Sequence, residues 1–264
     1  MNRPYFAYGS NTHPTRLTSR VASAKRRCPA TLHAYSFGWA RRPDGTVRAT
    51  VRSSSGSTRG VLFDGVPPAA LDRFEGEGTY YERINVTVAT DAGPVEAFTY
   101  VAILDEPVAG PSPTDAHYAA WVSSGRAMVG APTSGVSLVA VYGSLRKGFG
   151  NHEWFLKKPD DFAVPCGETT LAGFALYDLG AFPGAVYAAG ETIRCEVYAV
   201  GPATLAALDR LEGHPSFYRR EQIESLSGAT METYVYRGDT DRRALVPGGD
   251  WSEHKLTPQA ELTF

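Results

Sequence analysis

Apolar and polar positions alternate in short runs, and each run stops at a turn residue. FAY (Phe6–Tyr8) and LVAVY (Leu138–Tyr142) are β-rich stretches ending at Gly-Ser, so each Gly-Ser loop is expected at a strand end. STRGVLFDGV (Ser57–Val66) and ETIRCEVYAV (Glu191–Val200) alternate as strands. INVTVAT (Ile84–Thr90) and VEAFTYVAI (Val95–Ile103) read as a hairpin around DAG. The period then changes from two to three. In PPAALDRFEG (Pro67–Gly76), Leu71 and Phe74 share a face, and in GPATLAALDRLEG (Gly201–Gly213), Leu205, Leu208 and Leu211 do so. Each segment carries Pro near its start and Gly at its end, the signature of a short helix with one apolar face. A further helix is predicted over Thr114–Met128, with Asp115 as cap and Tyr118 and Val122 on one face. Short strands broken by short helices predict an α+β protein with a curved or closed sheet rather than a doubly wound one.

The pattern occurs twice. YFAYGSN (Tyr5–Asn11) returns as VAVYGSL (Val139–Leu145), with Tyr8 and Tyr142 offset by 134. AALDRFEG (Ala69–Gly76) returns as AALDRLEG (Ala206–Gly213) at 137, and Tyr81 and Arg83 return as Tyr218 and Arg220 at the same offset. VEAFTY (Val95–Tyr100) is echoed by METYVY (Met231–Tyr236) at 136, and RGVLF (Arg59–Phe63) by RCEVY (Arg194–Tyr198) at 135. Ordered blocks at a nearly constant offset mark a tandem duplication. The turn-rich GAPTSG (Gly130–Gly135) places the boundary between domains 1–135 and 136–264.

Composition narrows the class. The 264 residues carry 26 Lys and Arg against 28 Asp and Glu, a net charge of -2, which disfavours nucleic acid as a partner. The first domain is net +3 and the second net -5, a difference that favours packing of the domains on each other. Cys28, Cys166 and Cys195 form no CxxC and are expected as reduced structural thiols. No apolar run reaches the length of a membrane span, and the start shows no signal-peptide core. A soluble cytoplasmic protein is expected. The six histidines lie in no metal-ligand spacing, so neither metal nor cofactor is expected.

Three features carry candidate chemistry. The YGS loops, Tyr8-Gly9-Ser10-Asn11 and Tyr142-Gly143-Ser144-Leu145, present successive N–H groups suited to a carboxylate or oxyanion. Glu75 and Glu212 each precede a helix-ending glycine; the helix dipole there, and desolvation if they face a cleft, push a carboxyl toward the range useful for general acid–base work, and the alternative is an exposed surface glutamate in a charged turn. The tyrosines Tyr80, Tyr81, Tyr100, Tyr218, Tyr234 and Tyr236 suit the lining of a small polar pocket or a packed core.

Together these blocks resemble the gamma-glutamylcyclotransferase superfamily. The first unit is similar to gamma-glutamylcyclotransferase proper through FAYGSN, Arg20, LDRFEG, Tyr81 with Arg83, and PSPTDAHYAAWVSSGR (Pro111–Arg126). The second is similar to the AIG2-like, gamma-glutamylamine cyclotransferase branch through VAVYGSLRKGFGNH (Val139–His152), YDLGAFPGAV (Tyr177–Val186), LDRLEG, Tyr218 with Arg220, YVY (Tyr234–Tyr236) and VPGGDW (Val246–Trp251). The resemblance implies two tandem mixed β-barrels with flanking helices. It implies Glu75 and Glu212 as catalytic acid–bases, and Tyr8–Asn11 and Tyr142–Leu145 as substrate loops, with Tyr81, Tyr100, Tyr218 and Tyr236 around a small-molecule gamma-glutamyl amide. A non-catalytic scaffold keeping the fold, or an amidase or acyltransferase using the same site, are the competing readings. Trp39, Arg41 and Arg42 are expected to crowd the first site, and Gly180, Pro183 and Gly184 to leave the second more open to a bulky leaving group.

Overall fold

A computed structural model describes residues 3–103, 106–111, 115–131, 133, 135–224 and 230–256. The chain divides into two compact units at Val136/Ser137. Ser112, Pro113, Pro132 and Ser134 of the sequence motifs, and the predicted helix start at Thr114, lie outside the described residues.

Unit 1 runs β1 (Tyr5–Ala7), α1 (Pro14–Arg20), β2 (Lys25–Arg41), β3 (Val47–Asp64), α2 (Pro68–Glu75), β4 (Tyr81–Thr90), β5 (Gly93–Ala102), β6 (Glu106–Val108) and α3 (Ala116–Ala127). Its sheet order is β3-β1-β5-β4-β2-β6, and β2 also pairs with β3, which closes five strands into a barrel. The β1–β5 pair is parallel and the others antiparallel. The long β2–β3 hairpin has register shifts at Arg26/Cys28 and His33/Tyr35; such bulges bend a strand and let a sheet curl on itself.

Unit 2 runs β7 (Ser137–Val141), α4 (Gly150–Phe155), β8 (Ala163–Asp178), β9 (Pro183–Val200), α5 (Pro202–Leu211), β10 (Tyr218–Glu224), β11 (Thr230–Tyr236), β12 (Ala244–Leu245) and α6 (Trp251–Leu256). Its order, β10-β11-β7-β9-β8-β12, places its strands as unit 1 places their counterparts, apart from the closing contact. The expected second barrel is open. The bond of β2 to β4 at Thr31↔Ala89 has no counterpart between β8 and β10 among the described residues, so unit 2 is a half-barrel.

The predicted elements form with two departures. Leu71 and Leu208 are fully buried, as a core-facing helix position requires, whereas Phe74 is 43 % exposed. Phe74 instead lies beneath the guanidinium groups of Arg20 and Arg73. Asp115 precedes α3 but makes no side-chain cap. Its carboxylate accepts from the Val47 N–H and from Arg48, tying α3 to the start of β3. All three cysteines are free, and burial pushes the Cys166 and Cys195 thiols up to about 12. No helix among the described residues is long and apolar enough to cross a membrane.

Candidate active site

Each YGS loop leaves the end of the first strand of its unit and faces the end of the LDxxEG helix of the same unit. In unit 1 the loop turns into a short 3-10 segment, Ser10–Thr12, closed by Thr12 N–H donating to Gly9 O at 3.0 Å. The α2 helix ends where Gly76 takes φ 66°, and Gly213 takes φ 61° after α5, a left-handed stop that glycine adopts without a Cβ penalty. That stop turns the chain so that the preceding glutamate faces the loop. Glu75 shares a cavity with Tyr8, Gly9, Ser10, Asn11, Tyr81 and Tyr100. Glu212 shares one of about 220 Å³ with Tyr142, Gly143, Ser144, Leu145, Tyr218 and Tyr234.

The tyrosine hydroxyls are engaged, and in the same way twice. Tyr8 donates to Tyr100 O and Tyr142 to Tyr234 O, each at 2.5 Å. Tyr81 donates to Ala49 O and Tyr218 to Pro183 O, each at 2.7 Å. Burial raises all four phenols well above their ordinary range, so they stay protonated donors that fix backbone and turn their rings to the cavity.

The strand register changes one expected pairing. Arg83 lies opposite Tyr100 in β4–β5, and Arg220 lies opposite Tyr234 in β10–β11. The counterpart of Tyr100 is therefore Tyr234, at the same offset of 134 as the loops, and not Tyr236. Tyr236 lies opposite Tyr218, outside the cavity lining, with its ring edge-on to Phe217. Of the residues expected to crowd unit 1, Arg42 lines the cavity beside Glu75. Trp39 packs edge-on against Phe37 and Tyr118, and Arg41 pairs with Glu106. Pro183 lines the unit 2 cavity, and its ring lies 2.8 Å from where a Cβ on Gly143 would stand, so only glycine fits there.

A second set of residues, Asp72 with Arg83 and Asp209 with Arg220, holds the helices that carry the glutamates. Asp72 accepts from Tyr100 at 2.6 Å and from Arg83 at 2.5 Å. Asp209 accepts from Tyr234 at 2.8 Å and from Arg220 at 2.9 and 3.2 Å, and Arg220 also pairs with Glu232. Each clamp pins the LDxxEG helix to the two strands below it. Asp209→Asn is expected to cost about 1–3 kcal/mol, since Arg220 and Tyr234 lose a charged acceptor in a half-buried site. A lower midpoint of chemical unfolding would show it, and an unchanged midpoint would remove the clamp from the account.

The two sites differ in what touches the carboxylate. Glu75 Oε1 accepts from Asn11 Nδ2 at 2.9 Å and from Arg20 Nη1 at 3.0 Å, and Asn11 also donates to Tyr5. Leu145 stands where Asn11 does, and no donor or cation reaches the Glu212 carboxylate among the described residues. Desolvation pushes Glu212 from 4.5 up to about 7.

The family model described as gamma-glutamyl cyclotransferase, AIG2-like, matches twice, over residues 5–122 and 139–253. The chain belongs to the gamma-glutamylcyclotransferase family. The two matches also show that it is a tandem duplication. A Vibrio cholerae relative is 40 % identical over 117 residues, covering 44 % of this chain and 96 % of its own length. YtfP of Escherichia coli, a gamma-glutamylcyclotransferase family protein, is 38 % identical over 113 residues, covering 43 % and 94 %. The solved structure of a gamma-glutamyl cyclotransferase is 28 % identical with a TM-score of 0.42, covering 47 % of this chain and 78 % of that one. Among the described residues no cluster of His, Cys, Asp or Glu is arranged to hold a metal ion.

Proposed function

We propose that this gamma-glutamylcyclotransferase-family chain cyclises gamma-glutamyl amides to 5-oxoproline and a free amine, with Glu75 and Glu212 as the acid–base groups of two sites. The observation that carries the reading is the repeated juxtaposition of one glutamate with one YGS loop in a shared cavity.

The chemistry needs little more. The α-amine of a gamma-glutamyl group, once neutral, reaches its own γ-carbonyl to form a five-membered ring, so nucleophile and electrophile arrive together. The first N–H groups of each turn, at Ser10 and Asn11 and at Ser144 and Leu145, have no carbonyl to meet within the turn. They are placed to hold the substrate carboxylate or the oxyanion that develops on attack. As the N–C bond forms, the glutamate takes the proton of the attacking nitrogen. It returns that proton to the leaving nitrogen as the amide C–N bond breaks. The solvent proton lost by the α-ammonium at the outset is regained by the released amine, so no water is consumed.

The test is mass spectrometry of the products from a panel of gamma-glutamyl amides. Equal amounts of 5-oxoproline and amine are expected. Free glutamate would assign the site to an amidase, and binding without turnover would assign the chain to a non-catalytic scaffold.

A further inference from the structure

The larger cavity of unit 1, about 400 Å³, adjoins Glu75 and is lined by four arginines: Arg16, Arg20, Arg42 and Arg48. They come from α1, from the turn after β2 and from β3, and meet only in the folded unit. Two have carboxylate partners in place, Arg20 with Glu75 and Arg48 with Asp115, each at 3.0 Å. Arg16 and Arg42 have no carboxylate partner among the described residues. They rest on aromatic faces, Arg16 on Tyr118 and Trp121, Arg42 on Tyr80 and Tyr81. The Nε–H of each is buried without a hydrogen-bond acceptor. Burial and the neighbouring Arg20 hold the Arg16 guanidinium below its usual range. Gathering like charges with unfilled donors is costly unless an anion completes the set. Unit 2 shows the reverse. Around Glu212 its cavity is walled by Phe182, Pro183, Leu211 and Phe217, with no Lys or Arg in the lining.

We propose that the arginine-lined cavity of unit 1 binds the leaving portion of a gamma-glutamyl amide that carries at least two negative charges, carboxylates or a phosphate, while unit 2 takes an uncharged, apolar one. Planar guanidinium forks match either anion in bidentate geometry. The proposal rests on the cyclisation reading for its substrate class. The duplication then serves two pools of substrate: one chemistry, with leaving groups sorted by charge.

Binding without turnover tests it. The full chain carrying Glu75→Gln and Glu212→Gln is titrated calorimetrically with γ-glutamylglutamate, whose leaving amine is a dicarboxylate. A parallel titration uses the γ-glutamyl amide of phosphoethanolamine, and the tighter of the two identifies which anion the site prefers. Saturable binding that weakens with added salt is expected. Adding Arg16→Gln with Arg42→Gln should weaken it at least about 10-fold and leave γ-glutamylbutylamine binding unchanged. Anion binding that ignores both salt and the arginine substitutions would overturn the proposal, as would equal affinity for the neutral amide at unit 1. Salt dependence needs no arginine variant, so a misfolded variant does not remove the test. Failure of the cyclisation reading shows separately, as wild-type protein that binds these amides and releases no 5-oxoproline.

Discussion

With Glu75 and Glu212 both replaced by glutamine, release of 5-oxoproline is expected to fall by at least about 10²-fold, the scale on which removing a general acid–base is felt. Glutamine keeps the size and the cavity wall and removes only the group that accepts and returns a proton. The single variants divide the work. Glu212→Gln should abolish turnover of amides with apolar leaving amines, since that cavity has no other carboxylate in its lining. Glu75→Gln should leave those substrates untouched and remove the anionic ones. The cavity at the YGS loop is tighter in unit 1, about 20 Å³ against about 220 Å³ in unit 2, and the arginine-lined cavity that adjoins it, about 400 Å³, is the roomier and the more polar. On the reading proposed above, the arginines beside Glu75 sort the leaving groups by charge. Undiminished release from the double variant would remove both glutamates from the mechanism and move the scaffold reading ahead.

What the sequence shows of this molecule follows from which forces act locally. Tandem duplication, the hairpins and the Pro-to-Gly helices are written in periodicity and turn residues, because each depends on neighbours within a few positions. Closure of the sheet is not. A barrel and a half-barrel share one strand order here, and the difference is a single backbone pairing, Thr31↔Ala89, between strands far apart in the chain. The tyrosine pairing shows the same limit. Matching letters align Tyr100 with Tyr236, but hydrogen-bond register against Arg83 and Arg220 aligns it with Tyr234. The arginine cavity is least legible. Arg16 sits in a helix, and Arg42 and Arg48 flank a turn, where a basic residue ordinarily means solvated surface. The one signal is local and small: Asn11 in one loop and Leu145 in the other, so that one of the two donors to Glu75 has no counterpart at Glu212.

Raising the pH through about 7 is expected to switch unit 2 on and to loosen it at once. Glu212 acts as a base only when ionised, so turnover of apolar amides in a Glu75→Gln background should climb with pH to a midpoint near 7, the value to which burial pushes this carboxyl. Stability runs the other way. The unfolded chain releases this proton near 4.5 and the folded chain near 7. Between those values the folded state holds a proton that the unfolded state has lost, so stability falls as pH rises across the window. Above it the deficit is full, at most ~3 kcal/mol by the size of the shift, less whatever solvent at the cavity mouth restores. Glu212→Gln carries no charge to desolvate. It should be more stable than wild type near pH 8 by up to that amount, and no more stable near pH 4, where both states of the wild type are protonated. Leu145→Asn supplies the donor that Glu75 has in Asn11 and should draw the rate midpoint down below 7. Equal unfolding free energies for wild type and Glu212→Gln at pH 8, together with a rate midpoint in the ordinary carboxylate range, would show that Glu212 meets water freely and that its environment does not tune it.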